Sequence, residues 1–206
     1  MSNEGGTTAY RLSLSKQIIS TATAAFTSRG IKNVKMDDIA RELTISKRTL
    51  YEIFANKEQL LLECVKLMHQ EFKENMSKFA NNDKSVIAII IETYRYQITR
   101  INSISPEYYS DLHKYASVIK WIDASHKREE KERLAFFRRG VEEGYFRNDL
   151  DYSLINKMSS GTVNYIMENQ FFKKYPMKHI IHNMIMLYVR GFCTLKGVEA
   201  LEKYNF

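Results

Sequence analysis

The sequence predicts an all-α chain, with an N-terminal three-helix unit followed by a longer helical region and about nine helices in total. Only 8 Gly and 2 Pro stand in 206 residues, too few chain-turning residues for a sandwich or barrel. Apolar residues recur at spacings of three and four, and no segment alternates apolar with polar over the length of a strand. A hydrophobic content of 44%, with 12% of the chain aromatic, is enough to build a sizeable core.

Residues 1–12 are polar and contain Gly and Thr, which predicts a disordered tail. A first helix is expected from Ser13, where Ile18, Ile19, Ala22, Ala25 and Phe26 form a stripe that Gly30 ends. Asp37 and Asp38 open a second, short helix because their charge suits its N-terminal dipole, and Ile39, Ala40 and Leu43 supply its inner face. Thr44 and Ile45 connect to a third helix capped by Ser46, with Leu50 and Phe54 inward. Asn56 with Gln59 resembles a capping box, and starts a long helix through Leu60, Leu61, Cys64, Val65, Leu67, Met68 and Phe72 to about Ala80.

The later helices are expected at Lys84 to Ile104, ended by Pro106, and at Glu107 to about Ile122. The charged segment His126 to Arg133 continues as a helix to Gly144, and Tyr145 to Asp149 forms a turn. The last two helices run from Tyr152 to Lys173 and from Pro176 to about Glu202. The divisions that follow are residues 13–58 for the N-terminal helical unit and 59–206 for the longer helical region.

Lys and Arg number 31 against 24 Asp and Glu, a net charge of +7 that suits a polyanionic partner. Cys64 and Cys193 are far apart and have no CxxC or Cys/His spacing, so neither a disulfide framework nor a zinc site is indicated. No apolar run is long enough to span a bilayer, and the first residues lack the apolar stretch of a secretory signal. A cytoplasmic protein with no membrane partner is expected.

Three compact helices joined by short turns, whose third presents Lys47, Arg48, Thr49, Tyr51 and Glu52 outward, are the parts of a helix-turn-helix DNA reader. Arg48 can fork onto guanine O6 and N7, and Lys47 can reach a base edge or a phosphate. Tyr51 offers a hydroxyl to phosphate and a ring to a thymine methyl. Lys57, at the start of the fourth helix, and Lys35, just before the second, are placed to hold phosphates, while Ser46 caps the reading helix. Between Ile31 and Lys57 six basic residues face four acids, so placement rather than bulk charge carries this reading.

The run Met36-Asp-Asp-Ile-Ala-Arg-Glu-Leu-Thr-Ile-Ser-Lys-Arg-Thr-Leu-Tyr51-Glu-Ile-Phe-Ala-Asn-Lys-Glu58 resembles the TetR family signature, and the likeness covers roughly residues 14–62. Gly140 to Arg147 is similar to a turn seen before the penultimate helix in many members. The resemblance implies a homodimeric transcriptional regulator, usually a repressor, released from double-stranded operator DNA by a small effector. The chain departs from the family at Thr44, where Gly is usual, at Ile53, where an aromatic or His is frequent, and at Ala55, where Pro is frequent. A β-branched residue is costly at positive φ, so a differently shaped turn is expected at Thr44.

In such a dimer the last two helices pair with their symmetry mates, and the two heads stand about 34 to 36 Å apart or somewhat more along DNA. The residues expected there are Ile155, Met158, Ser159, Thr162 and Ile166 on one helix and Met184, Ile185, Tyr188, Gly191, Phe192 and Leu195 on the other. Tyr94, Ile98, Trp121, Phe136, Phe137, Asn164, Tyr165, Met167 and Phe171 are candidates to line an effector pocket, which favours an apolar or aromatic compound.

His179 with His182, and Asp123 with His126, have helical metal-ligand spacing but no third ligand, so no metal is expected. The chain has no GxSxG, P-loop, GxGxxG or HExxH, so neither enzymatic activity nor a cofactor is expected. The alternative reading is a basic helical interaction module that binds DNA without operator preference or effector control.

Overall fold

A computed structural model describes residues 4–80 and 84–204. Its described residues form eleven α-helices, one 3-10 turn at Phe171–Lys173 and no strand. The helices are α1 (Glu4–Arg29), α2 (Met36–Glu42), α3 (Lys47–Ile53), α4 (Lys57–Ala80), α5 (Val86–Ile101), α6 (Pro106–Leu112), α7 (Ala116–Arg128), α8 (Glu130–Glu142), α9 (Tyr152–Glu168), α10 (Met177–Phe192) and α11 (Leu195–Glu202). No described helix is long and apolar enough to cross a membrane.

Two compact units divide the chain. The first holds the described residues to Phe72 together with Ile104–Trp121, so it does not stop at residue 58 but takes in the first two thirds of α4, all of α6 and the start of α7. The second holds Lys73–Ser103 and the chain from Ile122 onward.

In the first unit Leu14, Ile18, Ala22, Ala25 and Phe26 on α1 are all buried, as are Ile39 and Ala40 on α2, Leu50 on α3 and Leu60 and Leu61 on α4, while Ile19 and Leu43, also expected to face inward, are half-buried. Residues 4–12, expected to be disordered, are helical, and residues 1–3 lie outside the described residues. Ala9 to Ser13 are exposed, and Leu14 is the first buried residue among the described side chains of α1. The extension therefore leaves no apolar pattern to read, yet each added residue gains a backbone hydrogen bond on a helix already nucleated.

The α2–α3 turn keeps the left-handed form despite its Thr. Thr44 has φ +55°, its N–H donates to the Arg41 carbonyl at 3.1 Å, and the Ile45 N–H donates to the Ala40 carbonyl at 3.0 Å. These two bonds are those of a Schellman cap, which corrects the expectation of a different turn and puts a β-branched residue where Gly is unstrained. Thr44→Gly should therefore stabilise the protein by about 1 kcal/mol, read as a rise of a few degrees in thermal midpoint. An unchanged or lowered midpoint would show that the turn carries no strain.

The second unit is built around Val86, Ile87 and Ile91 of α5, Phe146, and Val189, Phe192 and Cys193 at the end of α10, closed by Leu201 of α11. Phe146 and Phe192 meet edge to face with ring centres 4.9 Å apart, and Phe137 stacks on Tyr152 at 4.7 Å. The expected helix from Pro176 to Glu202 is two helices. The Thr194 N–H donates to the Tyr145 carbonyl at 2.9 Å and the Arg147 N–H to the Phe192 carbonyl at 2.9 Å, pulling the chain out of helix at Cys193. Thr194 then caps α11 by accepting from the Gly197 N–H. Likewise the expected helix from Glu107 to Ile122 is two, because α6 ends at Leu112 and α7 starts again at Ala116. With these two divisions the expected nine helices become eleven.

Both cysteines are free and buried. Burial pushes the Cys64 thiol up to about 12 and the Cys193 thiol up to about 11.

Candidate nucleic-acid interface

Ser46 opens α3 from extended backbone, and its hydroxyl accepts from the Thr49 N–H at 3.0 Å and lies 2.8 Å from the Thr49 hydroxyl. Ser46 and Thr49 thus fix the first turn of the helix. One turn on, Leu50 is fully buried, and Phe54 closes the C-terminal end, also buried. With that face committed inward, Lys47, Arg48 and Tyr51 point to solvent. The Arg48 side chain is 89% exposed, the freest cation of the set, and its Nε donates to Glu52 Oε1 at 2.8 Å. Lys47 Nζ pairs with Asp37 of α2. Both are exposed pairs of low strength, which a phosphate or a guanine edge can replace.

Lys35 is exposed immediately before α2, where its N–H donates to Asp38 Oδ2 at 2.9 Å and holds that carboxyl below its usual pKa. Lys57 is the first residue of α4, but its ammonium is half-buried. It lies 5.9 Å from the centre of the Phe26 ring and 3.5 Å from the Lys32 carbonyl, and burial lowers its pKa. Asn56 caps α4 through the Gln59 N–H at 2.8 Å, and Gln59 reaches back to the Ala55 N–H at 2.9 Å. The reciprocal bond goes to Ala55, one residue before the position a capping box uses. All seven predicted DNA-facing residues thus lie in the first unit.

Arg11 was not legible in the sequence, because it falls in the stretch expected to be disordered. Its guanidinium donates to the Glu52 carbonyl at 3.2 Å, adding a cation from α1 beside the end of the reading helix. Its only signal is a basic residue beside Tyr10 in an otherwise polar stretch.

The nine residues expected to line an effector pocket are not gathered into one group. Trp121 is in the first unit, edge to face with His69 at 5.3 Å. Phe136 and Phe137 are half-buried and pack on Phe146 against the core of the second. Asn164 and Tyr165 are exposed, because their side of α9 faces solvent. Ile98 and Met167 are half-buried, and Phe171 meets Tyr165 at 5.6 Å. Tyr94 makes the most specific polar contact of the set, its hydroxyl 2.7 Å from His182 Nδ1. His182 was read only as half of a metal pair, and among the described residues no three metal-ligating side chains converge.

The interface candidates separate by exposure. Met158 is exposed, and Ile155, Ser159, Thr162, Ile166 and Met184 are half-buried. Phe192 is core and Ile185 and Tyr188 pack against it, because the break at Cys193 turns the end of α10 inward. Tyr188 also meets the Thr162 hydroxyl at 2.8 Å. Leu195 is exposed but starts α11. Exposed apolar side chains stand at Leu154, Met158 and Tyr165, spaced along one face of α9, and at Leu187 of α10; an added methyl on Gly161 or Gly191 would meet open space.

Residues 18–64 match the family model of bacterial regulatory proteins, tetR family. The chain is 24% identical over 152 residues to the HTH-type transcriptional repressor KstR2 of Mycobacterium tuberculosis, covering 71% of this chain and 76% of that protein. Among solved structures it is similar to a transcriptional regulator from Saccharomonospora viridis in complex with choline, at TM-score 0.68 and 17% identity over 88% of this chain and 98% of that one. It is also similar to FadR from Bacillus subtilis in complex with stearoyl-CoA, at TM-score 0.63 and 18% identity over 86% and 98% of the two chains.

Proposed function

We propose that this chain, whose first unit carries the tetR-family regulatory domain, is a homodimeric DNA-binding transcriptional repressor of the cytoplasm that a small effector releases from its operator. The observation that carries this reading is the placement of α3. Ser46 and Thr49 fix its first turn, Leu50 and Phe54 hold it inward, and Lys47, Arg48 and Tyr51 are left exposed on the opposite side. A helix so held presents base-reading groups from its N-terminal turns, while Lys35 before α2, Lys57 at the head of α4 and Arg11 beside the end of α3 would supply cations for phosphate.

Effector control is supported by the ligands held in the two similar structures, choline in one and stearoyl-CoA in the other. In this chain the Tyr94–His182 pair is the polar group we assign to orient a largely apolar effector within the second unit. Binding there would shift the population between a conformer that fits two adjacent grooves and one that does not.

The test is fluorescence anisotropy of the full-length protein against a duplex of its upstream intergenic region and a scrambled duplex of equal length. Arg48→Ala should weaken the first by about tenfold or more and leave the second nearly unchanged, because a bidentate Arg–guanine contact contributes roughly 1–3 kcal/mol of discrimination. Equal affinity of the parent for both duplexes would instead select the module without operator preference.

A further inference from the structure

Asp111 is a buried carboxylate far from α3 in sequence, with 6% of its surface exposed. It lies on α6, and both oxygens are used within the first unit. Oδ2 accepts from the backbone N–H of Lys32 at 2.7 Å, and Oδ1 accepts from Lys114 Nζ at 2.8 Å. Lys32 lies in the corner between α1 and α2, and its carbonyl accepts from the Lys57 ammonium at 3.5 Å. One residue of the corner is thus held by Asp111 through its N–H while its carbonyl receives Lys57.

Two further contacts seat α6 on the same corner. The Ser105 N–H donates to the Thr27 carbonyl at 2.7 Å. Gly30, at φ +83°, lies so close to α6 that a Cβ there would come within 2.6 Å of Glu107 Cβ. The pairs Ser105–Thr27, Glu107–Gly30 and Asp111–Lys32 follow one another along α6, and only the last is charged.

We propose that Asp111 is a positioning residue for DNA binding, fixing the α1–α2 corner and through it the Lys57 ammonium at the head of α4. The proposal rests on the reading that Lys57 meets a DNA phosphate. The electrostatics agree with it. Burial alone would raise the Asp111 carboxyl, but Lys114, the Lys32 N–H and the Lys57 charge outweigh burial and hold its pKa below the usual carboxylate range. Lys57 in turn loses solvation on burial and recovers part of that loss from the charges of Asp111 and Asp38. An ammonium held at a fixed height above the first turn of a helix meets phosphate with less ordering than one on a free four-carbon stem.

The experiment measures the salt dependence of anisotropy for the full-length parent, Asp111→Ala, Asp111→Asn, Lys57→Gln and the Asp111→Ala/Lys57→Gln pair on the intergenic and scrambled duplexes. Asp111→Ala should weaken both duplexes by about fivefold and take roughly one unit from the slope of log affinity against log salt, as loss of one phosphate contact does. Asp111→Asn keeps an acceptor for the Lys32 N–H and should restore most of the slope. In the Lys57→Gln background Asp111→Ala should take nothing further from it. A purely structural role lowers the active fraction without moving the slope, so a parental slope in Asp111→Ala, or losses that add in the double variant, overturns the proposal. If Asp111→Ala melts below the assay temperature, Asp111→Asn with Lys57→Gln decides the matter: a partial, non-additive loss of slope supports it and full additivity overturns it. A parent that binds neither duplex removes the DNA-binding reading itself, a result distinct from a parent that binds with an unaltered Asp111→Ala slope.

Discussion

Leu187→Glu should turn the protein into monomers and lower its affinity for operator DNA by about a hundredfold or more, since linking two binding modules raises avidity by roughly 10²–10⁴. Leu187 is 73% exposed on α10, and Leu154, Met158 and Tyr165 of α9 are 53–58% exposed. Large apolar side chains left in solvent on the last two long helices mark an association surface. Covering one Leu side chain contributes about 1.5–3 kcal/mol, and a two-fold interface counts each residue twice. The substitution removes that gain and places a carboxylate from each protomer in an apolar contact, where an unpaired charge costs several kcal/mol. Sedimentation velocity would report the change of mass and anisotropy the loss of affinity. A Leu187→Glu protein that stays dimeric and binds as the parent does would remove this face from the interface.

Gly140→Ala should destabilise the protein by about 3 kcal/mol or more, at the upper end of overpacking effects. A Cβ on Gly140 would lie 1.9 Å from Phe146 Cδ2 and 2.1 Å from Cε2. The ring has nowhere to retreat, because Phe136, Phe137 and Phe192 surround it at centre distances of 6.0, 6.1 and 4.9 Å. The backbone is held too, since the Gly140 carbonyl accepts from both the Tyr145 and the Phe146 N–H at 3.0 Å. Thermal melting followed by circular dichroism should show a midpoint lower by roughly 10 °C, given about 2–4 °C per kcal/mol for a chain of this size. A fall of only a degree or two would mean that the aromatic cluster can repack.

What the sequence made legible is what short-range chemistry decides. The buried stripe of α1, the Ser46 cap and the inward pair Leu50 and Phe54 depend on residues within one or two turns of each other, and they were read correctly. The break between α10 and α11 was not, because its cause is the pairing of Tyr145 and Arg147 with residues nearly fifty positions later. The same break explains why Phe192, which continues the apolar stripe of its helix, is core rather than interface.

For the candidate site the division is similar. Lys47, Arg48 and Tyr51 were legible because α3 is a local structure, but Arg11 was hidden in a stretch with no buried anchor, and Asp111 reaches the DNA-facing unit only through the fold. The Thr44 turn shows the limit of a residue-type rule: the surrounding cap bonds impose the left-handed geometry even on a β-branched side chain. Effector residues were least legible, since a soft aromatic side chain looks the same in a string of letters whether it packs against core, as Phe137 does, or ends in solvent, as Tyr165 does.

Cys64 belongs to the first unit and Cys193 to the second, and neither sulphur ionises readily behind its helices. An alkylating reagent must wait for the surrounding packing to part, so modification at each site clocks the opening of its own half of the molecule. The protein thus carries two native timers, one for the half that would read DNA and one for the half that would sense a ligand.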